Sequence, residues 1–162
     1  MHPTQNLSRT VRLARHRHTV HEGDDYGTPA DTLRCAATYL ITHGWHQGDR
    51  FADTAAGNPF PPASADGAIR AAVYGHPNDT AELAGKPGWH VDIATAALAD
   101  WLGLADILDS QNLLGWLDDS TDAVADWNDT PGRTLHQVLQ ALHDAAEDYD
   151  HTVAYAANGG AR

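Results

Sequence analysis

The stretch DDSTDAVADWNDTPGRTLHQVLQALHDAAEDY, residues 118–149, carries the pattern on which the fold turns. Its first part reads as a short helix ending near Trp127, with Val124 and Trp127 on the inner face. Asp118, Ser120 and Thr121 are candidate caps for it. A polar corner follows, Asn128-Asp129-Thr130-Pro131-Gly132-Arg133, in which Pro-Gly separates one helix from the next. Thr134 followed by Gln137 predicts a capping box, with the hydroxyl accepting from the amide three residues on and the Gln side chain reaching back. Beyond it, Leu135, Val138, Leu139, Leu142, Ala145, Ala146, Tyr149 and Val153 recur at helical spacing. They form one apolar stripe that must be buried against other elements.

Outward from this stretch, the same three-to-four spacing recurs in every long apolar segment. A helix is predicted over Pro29–His43, with Thr28 as cap, Pro29 at the first helical position and Leu33, Ala36, Ala37, Leu40 and Ile41 facing inward. Gly44 stops it, and Trp45 is expected to fold back on the core. A second helix is predicted over Ala65–Gly75, capped by Ser64, with Asp66 in the first turn where the helix dipole favours an acid. Ala68, Ile69, Ala72 and Val73 face inward. A third runs from Val91 to Leu102, after a loop at Gly85-Lys86-Pro87-Gly88. Its stripe is Val91, Ala94, Leu98, Trp101 and Leu102. Leu104–Leu108 and Asn112–Leu117 read as two short helices. The residues around Gly57-Asn58-Pro59 are compatible with a minor hairpin near 50–60. The expected fold class is all-α, a compact bundle of four or five main helices with long irregular loops. Residues 1–27 read as an N-terminal arm, 28–157 as the helical domain and 158–162 as a tail.

At 162 residues the chain fits one domain with a real core. No run of apolar residues is long enough for a membrane span. No apolar export signal follows Met1, so the cytoplasm is the expected compartment. Cys35 is the one cysteine, which rules out an intrachain disulfide and fits a reducing compartment. The net charge is −12, unevenly spread. Arg9, Arg12, Arg15 and Arg17 precede the first acid, Glu22, leaving −16 on the rest. So acidic a body repels duplex phosphate and argues against a broad nucleic-acid surface. The arm, with its arginines and His2, His16, His18 and His21, reads as a tail or as a segment docked on that body.

Two sets of residues carry a resemblance. One is Ala37, Leu40, Ile41, Gly44, Trp45, Gln47 and Gly48. The other is Trp127, Asn128, Asp129, Arg133, Thr134, Val138 and Leu139. In this order they resemble a small helical family of actinobacteria and their phages that is known as a domain of unknown function, with a G-W-x-Q-G turn and a W-N-D followed by R-T. The resemblance covers residues 33 to 148 and implies a helical fold. It implies no activity. Members often carry Trp or Cys in the middle helix, where this chain has Ala71 and Ala72.

Candidate sites follow from side-chain chemistry. Asn128, Asp129 and Arg133 form the strongest polar group. Asp129 and Arg133, four apart, are spaced for a bidentate ion pair, and Asn128 can satisfy a helix-end carbonyl. The functional reading of the same corner sets Trp127 and Arg133 beside a pocket or partner, with Trp45 and His46 joining them. His43, His46 and Asp49 have loose metal-ligand spacing, but Gly44 breaks the helix between the histidines, so no metal is expected. His136 and His143, seven apart on the last helix, are expected to face water. So are Asp118, Asp119, Asp122 and Asp126, which repel one another at helical spacing. Cys35 reads as an inert core residue. There is no G-x-G-x-x-G, Walker or G-x-S-x-G motif, so no cofactor and no catalytic residue is assigned. Trp45, Trp89, Trp101, Trp116 and Trp127 are numerous for a small core, and Trp is enriched at interfaces. The expected function is therefore a small non-enzymatic accessory or interaction domain, with a protein partner or a second copy. The alternative is a ligand-binding protein or enzyme with a pocket near Trp45, His46, Trp127 and Arg133.

Overall fold

The structure, a computed structural model, describes residues 27–53, 57–77, 86–104 and 113–158. Most of the arm, the turn at Thr80–Leu83, the tail beyond Asn158 and the short helix expected at Leu104–Leu108 (apart from Leu104) lie outside the described residues.

Among the described residues five helices appear in the predicted order: α1 Pro29–His43, α2 Ala65–Tyr74, α3 Lys86–Trp101, α4 Leu113–Asn128 and α5 Leu135–Ala157. The fold is an all-α bundle, with no strand among the described residues. α1 packs against α5 and α2, and α3 lies against α4, α5 and α2. Arg34 of α1 meets Asp150 of α5 at 2.6 Å, while Trp45, just past the end of α1, meets Asn128, ahead of α5. The two helices are therefore antiparallel. Their shared core is Leu33, Ala36, Ala37 and Leu40 against Val138, Leu142, Ala145, Ala146 and Tyr149. Ile69 of α2, Val91 and Leu98 of α3 and Val124 of α4 close it.

The local signals that begin α1, α2 and α5 hold. The Thr28 hydroxyl accepts from the Asp31 amide, Ser64 Oγ accepts from the Gly67 amide, and Thr134 and Gln137 form the reciprocal capping box. Thr28 and Asp31 form a second such box that the sequence reading did not identify.

Several expectations need correction. α3 begins five residues early, at Lys86. Pro87 then falls in the first turn, where its missing N–H costs nothing, and the penalty for Gly88 is only about 1 kcal/mol. The two segments expected on either side of Asp118 are one continuous helix, α4, so Asp118, Ser120 and Thr121 are interior positions and not caps. Asp and Ser cost a few tenths of a kcal/mol each inside a helix, too little to break one that tertiary contacts hold. Ile41 is 66% exposed, since one residue past Leu40 turns it off the buried stripe to the side of Arg34 and Thr38. Cys35 is exposed too. Where a minor hairpin was expected near 50–60, the described residues form two isolated bridges, Trp45 with Ala63 and Phe51 with Ala63, and residues 54–56 lie outside the described residues. The backbone at 62–64 is thus clasped between 44–46 and 50–52, with His46 N donating to Ala63 O, Ala63 N to Gly44 O, Ala52 N to Pro62 O and Ser64 N to Arg50 O.

Candidate functional site

Gly44 ends α1 with φ at +101°, a conformation that L side chains rarely adopt, and so aims Trp45 across the molecule. The Trp45 indole nitrogen donates to Asn128 Oδ1 at 2.8 Å. The same oxygen accepts from the Ala65 amide, one of the orphan donors at the start of α2, at 3.1 Å. Asn128 Nδ2 donates to His46 O at 3.1 Å and to Asp129 Oδ1 at 2.8 Å. A primary amide offers two donor hydrogens and two acceptor lone pairs, and all four are used. Asn128 is fully buried.

The contact continues along both loops. Gln47 Nε2 donates to the carbonyls of Asn128 and Thr130, at 2.9 and 3.2 Å, and the Gly48 amide donates to Asp129 Oδ1 at 2.9 Å. The G-W-x-Q-G turn and the W-N-D corner, far apart in sequence, are thus hydrogen-bonded to each other. Asn128 was expected to satisfy a helix-end carbonyl; the carbonyl it satisfies belongs to His46, in the loop after α1. His46 takes part through its backbone, accepting from Asn128 and donating to Ala63.

The expected pairing of Asp129 with Arg133 is replaced by two separate contacts. Asp129 turns toward Gly48 and Asn128. Arg133 Nε donates to Trp127 O at 3.0 Å, and the guanidinium carbon lies 4.3 Å from the centre of the Trp127 ring. This is a cation–π arrangement that holds the guanidinium plane. Trp127 and Trp45 are half-buried, packed against the core from its edge.

Beyond the corner, Asp66 is 2% exposed and accepts from Arg50 Nε at 2.5 Å and from Arg70 Nε at 3.4 Å through Oδ2. Its role is larger than the dipole contact expected from its place in the first turn. Gly67 makes this geometry possible: a Cβ there would lie 2.1 Å from Arg50 O. A cavity of about 320 Å³ lies beside the corner, with Gly48, Asp49, Arg50, Ser64, Asp66, Thr121, Asp122 and Ala125 around it. Trp45, His46, Trp127 and Arg133 do not line it. Sequence reading missed Arg50 and Asp66 as a pair. The only local signal was an acid in the first turn after a serine cap, a pattern with an ordinary explanation.

His43 stacks on Phe60, with ring centroids 5.2 Å apart, and packs beside Tyr39, whose hydroxyl donates to Pro61 O. Burial pushes the Tyr39 phenol up. His136 and His143 are exposed. Among the described residues no three His, Cys, Asp or Glu side chains are placed to hold a metal. No described helix is long and apolar enough to cross a membrane.

Residues 25–148 match a family of unknown function (DUF6197). No curated protein and no solved structure matches the chain. With most of its length matched, the chain belongs to that family.

Proposed function

For this member of a family of unknown function, we propose the role of a non-enzymatic interaction domain whose partner-facing feature is the Trp127–Arg133 corner. The observation that supports this reading is the state of Arg133. One nitrogen is tied to a backbone carbonyl and one face rests on an indole, so the side chain is held in place. Its two terminal nitrogens have no hydrogen bond or ion pair among the described residues, in a chain with 22 acids. A guanidinium already held in place loses little entropy when it takes a carboxylate bidentately. A partner with an exposed carboxylate, either another protein or a second copy of this acidic chain, fits that chemistry.

Trp45, His46, Asn128 and Asp129 then serve as the frame that fixes the corner. The competing reading, a ligand pocket lined by Trp45, His46, Trp127 and Arg133, has no comparable observation behind it.

The test compares wild type with Arg133→Ala and Arg133→Glu, by light scattering for self-association and by pull-down for other partners. The expected outcome is an association that Arg133→Ala weakens at least tenfold, the equivalent of about 1.4 kcal/mol, and that Arg133→Glu abolishes. Both variants should keep the wild-type circular dichroism spectrum. Association indifferent to Arg133→Glu would rule the corner out as the partner face. Unfolding of both variants would make Arg133 architectural.

A further inference from the structure

The cavity beside the corner has an unbalanced set of charges on its wall. Asp49 and Asp122 are exposed, and neither has a hydrogen bond or ion pair among the described residues. Asp66, the third carboxylate, is 2% exposed and only half satisfied: Oδ2 takes two guanidinium nitrogens, while Oδ1 is buried with no partner. A bare carboxylate oxygen closed off from water is costly, and such groups in folded proteins call for an explanation. Among the described residues Arg50 is the one cation on the wall, and it is already committed to Asp66. Ser64 and Thr121 add hydroxyls to the lining.

We propose that this cavity binds a small aliphatic ammonium ion, of about the size of a diamine, between Asp66, Asp49 and Asp122. Three features select that class. The surplus of carboxylates over free cations calls for positive charge. The unsatisfied Asp66 oxygen calls for an N–H donor, and Asp66 is itself on the wall of the cavity. A metal ion fits poorly, because no three His, Cys, Asp or Glu side chains among the described residues converge at ligating distance. A volume of about 320 Å³ also exceeds what one bare ion fills, and lies at the low end for small-molecule sites. This site is separate from Arg133, and either can fail without the other.

The test is titration of the full chain with 1,4-diaminobutane, followed by amide chemical shifts and by calorimetry. Tetramethylammonium, which has charge but no N–H, and magnesium chloride serve as controls at matched ionic strength. Saturable binding is expected, with shifts at Gly48, Arg50, Asp66 and Thr121. Affinity should fall at least fivefold in Asp49→Asn and in Asp122→Asn, and further in the double variant. Neither residue supports the fold through a described contact, so both variants should stay folded. Tetramethylammonium should bind at least tenfold more weakly. Non-saturating shifts, equal affinity for tetramethylammonium, preference for magnesium, or unchanged binding in the double variant would each overturn the proposal.

Discussion

Asn128 is buried with its amide fully used, and each of its partners would be left short by its loss. In Asn128→Ala the Trp45 indole N–H, the Ala65 amide and the His46 carbonyl all lose a hydrogen bond. A buried group left unsatisfied costs about 1–3 kcal/mol. Partial rehydration at the corner offsets some of this, so a total loss of about 3 kcal/mol is expected in urea unfolding. Asn128→Asp keeps the acceptor but sets a carboxylate against Asp129 Oδ1 and His46 O, and should be at least as harmful. Gly67 tests a steric claim of the opposite kind. Replacing a glycine inside a helix with alanine ordinarily stabilises by about 1 kcal/mol. Here the new Cβ would meet Arg50 O at 2.1 Å, and that carbonyl is fixed by the Ser64 amide at 2.9 Å. Gly67→Ala is therefore expected to destabilise by about 2 kcal/mol or more, read as a lowered thermal midpoint.

At the scale of the element, helix starts are the parts whose energetics are local. Thr28→Ala and Thr134→Ala each remove the hydroxyl half of a capping box, at an expected cost of about 1 kcal/mol in chemical denaturation. The first of these boxes also predicts a pH dependence. The Thr28 backbone N–H and then its hydroxyl hold the Asp31 carboxyl below its ordinary value, with the Arg34 charge adding to the effect and burial opposing it. A carboxyl whose value is lowered by folding contributes stability above its unfolded value, and that contribution is lost as pH falls through the lower folded value. Asp31→Asn should thus be less stable than wild type at neutral pH. The difference should shrink as pH drops below about 3.9, the ordinary value for Asp. A constant difference across that range would mean that the carboxylate charge at this cap is irrelevant.

At the scale of the molecule, two kinds of contact join α1 to the α4–α5 unit, and they differ in strength. Arg34 and Asp150 pair at 2.6 Å between half-exposed side chains, and the ion pair holds the Arg34 guanidinium further above its ordinary value. Pairs of that exposure contribute at most about 1 kcal/mol and weaken with salt. Asp150→Asn should therefore lower stability by less than about 1 kcal/mol, against about 3 for Asn128→Ala. Equal losses from the two, measured by urea unfolding at moderate salt, would show that the buried clasp at the corner does not dominate this packing.

The sequence by itself determined what depends on neighbours three or four residues away. The helical stripe from Leu135 to Val153, the caps at Thr28, Ser64 and Thr134, and the stop at Gly44 are all of this kind, since helix faces and caps are settled within one turn. It erred where local preference was weak and tertiary contact decided, as at the early start of α3 and in the continuity of α4 through Asp118–Thr121. Only the tertiary structure decided what Trp45, Asn128, Arg50 and Asp66 do. Asn128 finds Trp45, His46 and Ala65 at 83, 82 and 63 residues' separation, and no periodicity encodes partners that distant. The same corner residues are equally suited, by composition, to an ion pair, a ligand pocket or a structural clasp. Burial selects among them: once the chain closes over Asn128, its own amide must find partners inside the protein, and the G-W-x-Q-G turn supplies two of them, the Trp45 indole and the His46 carbonyl.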